Sequence, residues 1–233
     1  MPLTISEIFY SVQGEGLLTG MPSVFIRTSG CNLRCTWCDT PYTSWRPEGE
    51  RWEIPQILAE AEALVGRAPS RYAVLTGGEP MLFPEAVELT KVLRAAGFHI
   101  TVETAGTVYQ PVACDLMSIS PKLANSTPHH DAIWGPRHER LRIQPEVLGR
   151  LQRDFACQWK FVLAGPEDLA EVEAVLAQLP DRPAPGQVLL MPEGRSGAEI
   201  NERSLALVEV AKQCGYRLST RLHVYLWGDQ RGV

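Results

Sequence analysis

Three cysteines fall within eight residues, Cys31-Asn32-Leu33-Arg34-Cys35-Thr36-Trp37-Cys38, and no other stretch constrains the chain as tightly. Thiolates at this x3/x2 spacing wrap one compact metal centre. A 4Fe-4S cube normally takes four cysteines. Three leave one iron open, and an open metal position is where ligands bind and react. A structural zinc would want a fourth ligand, and His99, the nearest histidine in sequence, has no finger-like spacing. A zinc staple and three unrelated core cysteines are the plainer alternatives. Cys114, Cys157 and Cys214 stand apart beside apolar runs or a helix end and read as buried core thiols. At 233 residues and 45% hydrophobic, the chain buries a core without a disulfide framework.

Apolar runs with strand character alternate with helical periods. Strands are expected at Val24 to Arg27, Tyr72 to Leu75, His99 to Glu103, Leu116 to Ser120, Trp159 to Leu163 and Val188 to Leu190. Helices are expected at Ile54 to Leu64, Pro84 to Ala96, Pro166 to Leu179 and Asn201 to Cys214. Alternating β and α units imply a mostly parallel sheet. Six or so strands suit a partial, TIM-like open barrel with helices outside, formed as a single domain over residues 1–233. Such a sheet binds ligands beyond the carboxyl ends of its strands. The unusual segments collect there: Cys31 to Thr40, Thr76-Gly77-Gly78-Glu79-Pro80, Glu103 to Gly106, Ser120-Pro121-Lys122, and Met191-Pro192-Glu193-Gly194. Leu123 to Leu141 has no clear period and reads as a loop or lid, with His129, His130 and His138 exposed to solvent.

The net charge of -5 and the lack of a dense Lys/Arg run argue against a nucleic-acid partner. No apolar run approaches the roughly 18–20 residues that span a bilayer. Met1 to Gly14 lacks a basic region followed by an apolar block, so no signal peptide is expected and the cytoplasm is the expected location.

The cysteine spacing resembles the signature of the radical S-adenosylmethionine superfamily. In that superfamily the open iron holds S-adenosyl-L-methionine, whose reductive cleavage yields a 5'-deoxyadenosyl radical. Thr76 to Pro80 resembles the superfamily's second motif, in which the Gly78 backbone would hold the methionine amino group. Two glycines let backbone approach a ligand closely; an ordinary Gly-Gly turn is the alternative.

Further segments resemble the 7-carboxy-7-deazaguanine synthases: Val12-Gln13-Gly14-Glu15-Gly16, Phe25-Ile26-Arg27, Cys38-Asp39-Thr40, Glu103-Thr104-x-Gly106, Ser120-Pro121-Lys122, and the tail from Leu222 to Val233. The resemblance implies ring contraction of 6-carboxy-5,6,7,8-tetrahydropterin with loss of ammonia. It assigns Val12, Gln13, Gly14, Glu15, Arg27, Thr76 and Val233 to the substrate. Arg27 suits a planar clamp on the carboxylate, against a plain strand-end arginine. Trp37, Cys38, Asp39, Gly78, Glu103, Ser120, Pro121, Lys122, Met191, Pro192, Glu193 and Gly194 go to the cofactor. Cys31, Cys35 and Cys38 go to the cluster, and the Thr40 hydroxyl to Mg2+, an ion that keeps few protein ligands; a turn cap is the alternative for Thr40. Val233 would face the pterin with its carboxylate, against an ordinary frayed end. Ala105 departs from the family, where many members carry a larger polar residue. The resemblance further implies a homodimer and an external electron donor such as flavodoxin or ferredoxin. A glycyl-radical-activating enzyme shares the cysteine motif, but Gln13, Arg27 and the tail favour a small pterin.

Overall fold

The computed structural model describes residues 2–233. Its frame is one nine-stranded sheet in the order β3-β1-β2-β4-β5-β6-β7-β8-β9. Strands β1 (Leu3–Val12) and β2 (Pro22–Thr28) form an antiparallel pair, and β3 (Glu50–Trp52) extends the outer edge of β1. From β2 onward every pairing is parallel and in chain order: β4 (Tyr72–Gly77), β5 (His99–Thr104), β6 (Leu116–Ile119), β7 (Cys157–Leu163), β8 (Val188–Pro192) and β9 (Arg217–Leu218). All six expected strands are present, and the two-residue β9 adds a seventh parallel member. The helices are α1 (Ile54–Val65), α2 (Glu85–Ala95), α3 (Trp134–Leu141), α4 (Pro145–Asp154), α5 (Leu169–Leu176), α6 (Gly197–Cys214) and α7 (Leu222–Trp227); α1, α2, α4, α5 and α6 cover the apolar outer face of the sheet, and α3 and α7 add nothing to that core. The result is an open, partial barrel. Among the described residues, no helix is long and apolar enough to cross a membrane.

Helix α6 begins four residues before the expected Asn201, at Gly197, because Ser196 and Glu199 close a reciprocal capping box. Helix α5 is shorter at both ends than the expected Pro166 to Leu179, since Pro166–Asp168 winds as a 3-10 turn and the helix stops at Leu176. Besides β9, the short β3 and α7 and the longer β1, α4 and α3 were not expected from periodicity. Strand β1 buries Leu3 and Ile5 but leaves its later residues only partly covered, which blurs its alternation. Helix α4 carries Pro145 in its first turn and buries Leu148 and Leu151. Helix α3 lies inside the segment read as a lid, and its correction concerns the site below.

The parallel strands divide cleanly by parity. Val24 and Ile26, Ala73 and Leu75, Ile100 and Val102, Met117 and Ile119, Trp159 and Phe161, and Val188 and Leu190 all join the apolar core under the helices. Their alternates point the other way, because successive side chains on a strand face opposite sides. That inner face carries a polar belt set among apolar residues such as Phe25, Val74, Val162 and Met191. Arg27 registers with Thr76 on β4, and Glu103 registers with Ser118, which registers with Gln158. A buried parallel sheet is ordinarily apolar on both faces. The polar inner belt therefore marks the side of the sheet that meets a ligand. Phe161 sits wholly buried in the outer layer. Phe161→Ala is expected to cost about 3–5 kcal/mol, read from the midpoint of denaturant unfolding with an unchanged slope.

Candidate active site

The cysteine loop leaves the end of β2 and is fastened to the Gly77-Gly78 turn at the end of β4. Gly78 N–H donates to Thr28 O at 3.1 Å, and Glu79 N–H donates to Gly30 O at 2.9 Å. The loops are so close that a Cβ on Gly77 would lie 2.2 Å from Thr28 O, and one on Gly78 2.1 Å from Gly30 O. Gly77 also has φ +133°, a conformation that side chains rarely adopt. The two glycines thus serve the approach of one backbone to another, besides any approach to a ligand. Glu79 lies beneath this junction, wholly buried. Its carboxyl accepts from Met81 N, Thr104 Oγ1 and Ala105 N at 3.0, 2.8 and 2.8 Å, and burial pushes its pKa up.

Each cysteine carbonyl in the loop has a donor. Arg34 Nη1 reaches Cys31 O at 2.8 Å, Trp45 Nε1 reaches Cys35 O at 3.0 Å, and Arg195 Nη2 reaches Cys38 O at 2.7 Å. With the backbone so held, all three thiols line one cavity of about 430 Å³ between the loop and the polar inner face. Burial pushes the Cys31 and Cys35 thiols up to about 12, and neighbouring thiols add to the shift. Uncharged thiols crowded together in this way suit a cationic centre that takes them as thiolates. Among the described residues, no three metal-binding side chains converge on a single point. A cubane asks for something different, since each cysteine ligates a different iron. The donor set fits that group: three thiols on one wall, with Cys114, Cys157 and Cys214 outside the cavity lining.

His138 corrects the expectation of exposed loop histidines. His129 and His130 are exposed, but His138 is fully buried on α3. Its Nδ1 accepts the Arg34 backbone N–H at 3.1 Å, and its Nε2 lies 2.9 Å from Ser126 Oγ. Both ring nitrogens are engaged, so it is no fourth ligand. The segment from 123 to 141 backs the cysteine loop rather than covering the cavity.

Residues named for the substrate share the cavity with the three cysteines. Val12, Gln13, Gly14, Glu15, Arg27 and Thr76 line the cavity, as does Val233. Gln13 Nε2 and Thr76 Oγ1 donate to the two oxygens of Glu103 at 3.2 and 2.8 Å. Arg27 donates through Nε to Glu7 at 2.6 Å, and that carboxylate also receives Tyr42 and Arg231. Neither terminal nitrogen of Arg27 has a protein hydrogen-bond partner among the described residues. Glu15 spends both oxygens on protein, one on Lys160 and one on Arg221. Burial alone would raise its pKa, but these two cations hold it well below the usual carboxylate range.

Residues named for the cofactor divide. Trp37, Cys38, Asp39, Gly78, Glu103, Ser120, Lys122, Met191 and Glu193 line the cavity; Pro121, Pro192 and Gly194 do not. The carbonyl of Gly194 instead accepts from Arg221 Nη1 at 2.6 Å. Lys122 donates to Ser120 Oγ at 2.8 Å with its ammonium 5.7 Å from the Trp37 ring centre. Asp39, whose side chain is 44% exposed, pairs with Arg221, whose positive charge lowers its pKa. Thr40 caps its turn through its carbonyl, which accepts from Thr43 at 2.9 Å. Its hydroxyl makes no cap bond and stays in the cavity lining.

Sequence reasoning missed Lys160, Arg221 and Arg195. Lys160 carried a signal: a lysine inside the apolar run Trp159 to Leu163, with its side chain 7% exposed. A buried charge in a strand needs a partner. Arg221 and Arg195 offered none, because their partners are distant in the chain.

Residues 25–141 match the Radical SAM superfamily. The chain is 45% identical over 237 residues to the 7-carboxy-7-deazaguanine synthase of Halobacterium salinarum, covering 97% of this chain and 91% of that relative. It is 45% identical over 236 residues to the synthase of the same name from Rhodopirellula baltica, covering 99% and 89%. The crystal structure of QueE from Escherichia coli aligns with a TM-score of 0.69 at 27% identity, covering 96% of this chain and 95% of that one.

Glu15→Gln leaves Lys160 buried without its carboxylate. Breaking such a pair costs about 3–5 kcal/mol. Calorimetry is expected to show a thermal midpoint lower by roughly 2–4 °C per kcal/mol lost, with Glu15→Gln/Lys160→Met recovering part of it.

Proposed function

The chain belongs to the 7-carboxy-7-deazaguanine synthases of the radical S-adenosylmethionine superfamily, and from that premise we propose that it converts 6-carboxy-5,6,7,8-tetrahydropterin to 7-carboxy-7-deazaguanine with loss of ammonia. The observation that carries this reading is the fork of Arg27. A half-buried guanidinium whose two terminal nitrogens have no protein partner among the described residues, facing a cavity lined by three cysteines, suits a carboxylate substrate.

As a radical S-adenosylmethionine lyase, the enzyme takes from its 4Fe-4S cluster and S-adenosyl-L-methionine the one-electron chemistry that begins the reaction. Cys31, Cys35 and Cys38 would hold the cluster. The chain's own residues bind and orient. Arg27 takes the substrate carboxylate; Gln13 and the Val12 and Gly14 backbone meet the donor and acceptor edge of the pterin. Thr76 and Glu103, already joined, connect that substrate wall to the cofactor ribose. Glu15 stays ionised and, through Lys160 and Arg221, keeps the Gln13 turn against the inner face. Trp37, Asp39, Gly78, Ser120, Lys122, Met191 and Glu193 would make the cofactor's bed, with Pro121, Pro192 and Gly194 set back from it. The Thr40 hydroxyl, whose one partner among the described residues is Cys38 Sγ at 3.8 Å, would be the protein's ligand to Mg2+, an ion that keeps few protein ligands. Val233 closes the substrate side.

Residues 1–233 act as one catalytic unit in this reading, in the cytoplasm, where external one-electron donors operate. Arg34 of the cysteine loop and Arg137 both lie over the Trp134 ring without a carboxylate partner among the described residues. That unpaired charge favours an acidic donor such as flavodoxin or ferredoxin. The exposed run Tyr225, Leu226 and Trp227 on α7 supports pairing of two copies.

Anaerobically reconstituted protein is expected to yield 7-carboxy-7-deazaguanine from the carboxypterin by mass spectrometry; 5'-deoxyadenosine without that product would defeat the assignment. Alanine at Cys31, Cys35 or Cys38 is expected to abolish radical formation. Thr40→Ala is expected to keep its iron and lose its response to added Mg2+.

A further inference from the structure

Helix α3 carries two kinds of residue on its two sides. Arg137 and Arg140 are exposed, while Gly135 and His138 are buried. Gly135 permits the approach, since a Cβ there would lie 3.1 Å from Pro128 O. His138 then stands behind the cysteine loop with both nitrogens in use. Because Nδ1 accepts the Arg34 N–H at 3.1 Å, it carries no proton. Burial pushes the ring's pKa down to about 4, so the imidazole is neutral and its one proton sits on Nε2. Nε2–H faces Ser126 Oγ at 2.9 Å, and Ser126 Oγ donates to Leu123 O at 2.6 Å. The directions of all three bonds are thereby set. Ser126 also accepts the Thr36 N–H through its carbonyl at 2.8 Å. The residues on either side of Cys35 are therefore tied to the same support, one through a side chain and one through backbone.

We propose that His138 is a positioning residue for the metal site: it fixes the turn between Cys31 and Cys35 and so the direction in which the Cys35 thiol is presented. The proposal rests on the reading of these cysteines as cluster ligands. His138 touches no ligand itself; it acts on the peptide between two of them. Partners in this outer position hold metal ligands in orientation and govern how firmly the metal is kept.

The test uses the whole protein, reconstituted anaerobically, with His138→Asn, His138→Gln and His138→Leu. The Asn amide oxygen falls where Nδ1 lies and still accepts the Arg34 N–H. The longer Gln carries its polar end past that point, and Leu offers no acceptor. Iron release to a chelator is expected to stay within about twofold of the parent in His138→Asn and to quicken about 10–100-fold in His138→Gln and His138→Leu. The paramagnetic resonance of the reduced cluster, with and without S-adenosyl-L-methionine, is expected to match the parent only in His138→Asn. Should His138→Leu fail to fold, the Asn and Gln pair decides. Iron release that is equally slow in folded His138→Gln and in the parent overturns the proposal. Equal acceleration in the Asn and Gln variants also overturns it, because it would report lost packing rather than a lost acceptor. Parent protein that takes up no iron would instead overturn the cluster assignment beneath it.

Discussion

The site depends on the contact between two backbones, the loop after β2 and the turn after β4. Their hydrogen bonds, Gly78 N–H to Thr28 O and Glu79 N–H to Gly30 O, leave no room for a side chain on either glycine of the turn. This contact joins the cysteine loop to the sheet's parallel run. Glu79 makes it rigid from below, spending its carboxyl on Met81, Thr104 and Ala105. Three strands, β2, β4 and β5, are thereby coupled at their carboxyl ends, where a parallel sheet offers its ligands a crevice.

A second constraint is electrostatic. Glu15, Lys160, Arg221 and Asp39 come from four separate segments and meet at one wall of the cavity. Glu15, Lys160 and Arg221 are largely withdrawn from water, so each is tolerable only with its partners in place, while Asp39 forms the exposed end of the network. The network ties the Gln13 turn, strand β7, the cysteine loop and the approach to α7 into one wall. Glu103 does similar work at lower charge, receiving Gln13 and Thr76. Binding residues are held by neighbours whose own positions are settled by the fold, which is how a site is kept ready before its ligand arrives.

Function follows from the contrast between the sheet's two faces. The outer face is an uninterrupted apolar core beneath the helices. The inner face carries Arg27, Thr76, Glu103, Ser118, Gln158 and Lys160 at registers that place several side by side. Stability and chemistry are thus assigned to alternate residues of the same strands. The cysteine loop lies across the mouth of the polar side, with its rear wall supplied by residues 123–141.

What the sequence determined alone was local. The cysteine spacing, the Gly77-Gly78 pair, Arg27 at a strand end and Thr40 two residues after Cys38 are written within short windows, and six parallel strands were legible from their apolar runs. The elements it hid were short or had weak or mixed periods: β1, the three-residue edge strand β3, α4 behind its proline, α3 within a segment rich in proline and histidine, and the six-residue α7. Only the tertiary structure decided the partners. Arg34 meets His138 across 104 residues, and Glu15 meets Arg221 across 206. A histidine in an aperiodic stretch and an arginine near a tail look solvated when read along the chain. They become buried and committed only because folding brings a bare N–H or a lone carboxylate against them, and an unpaired polar group there would cost more than the contact.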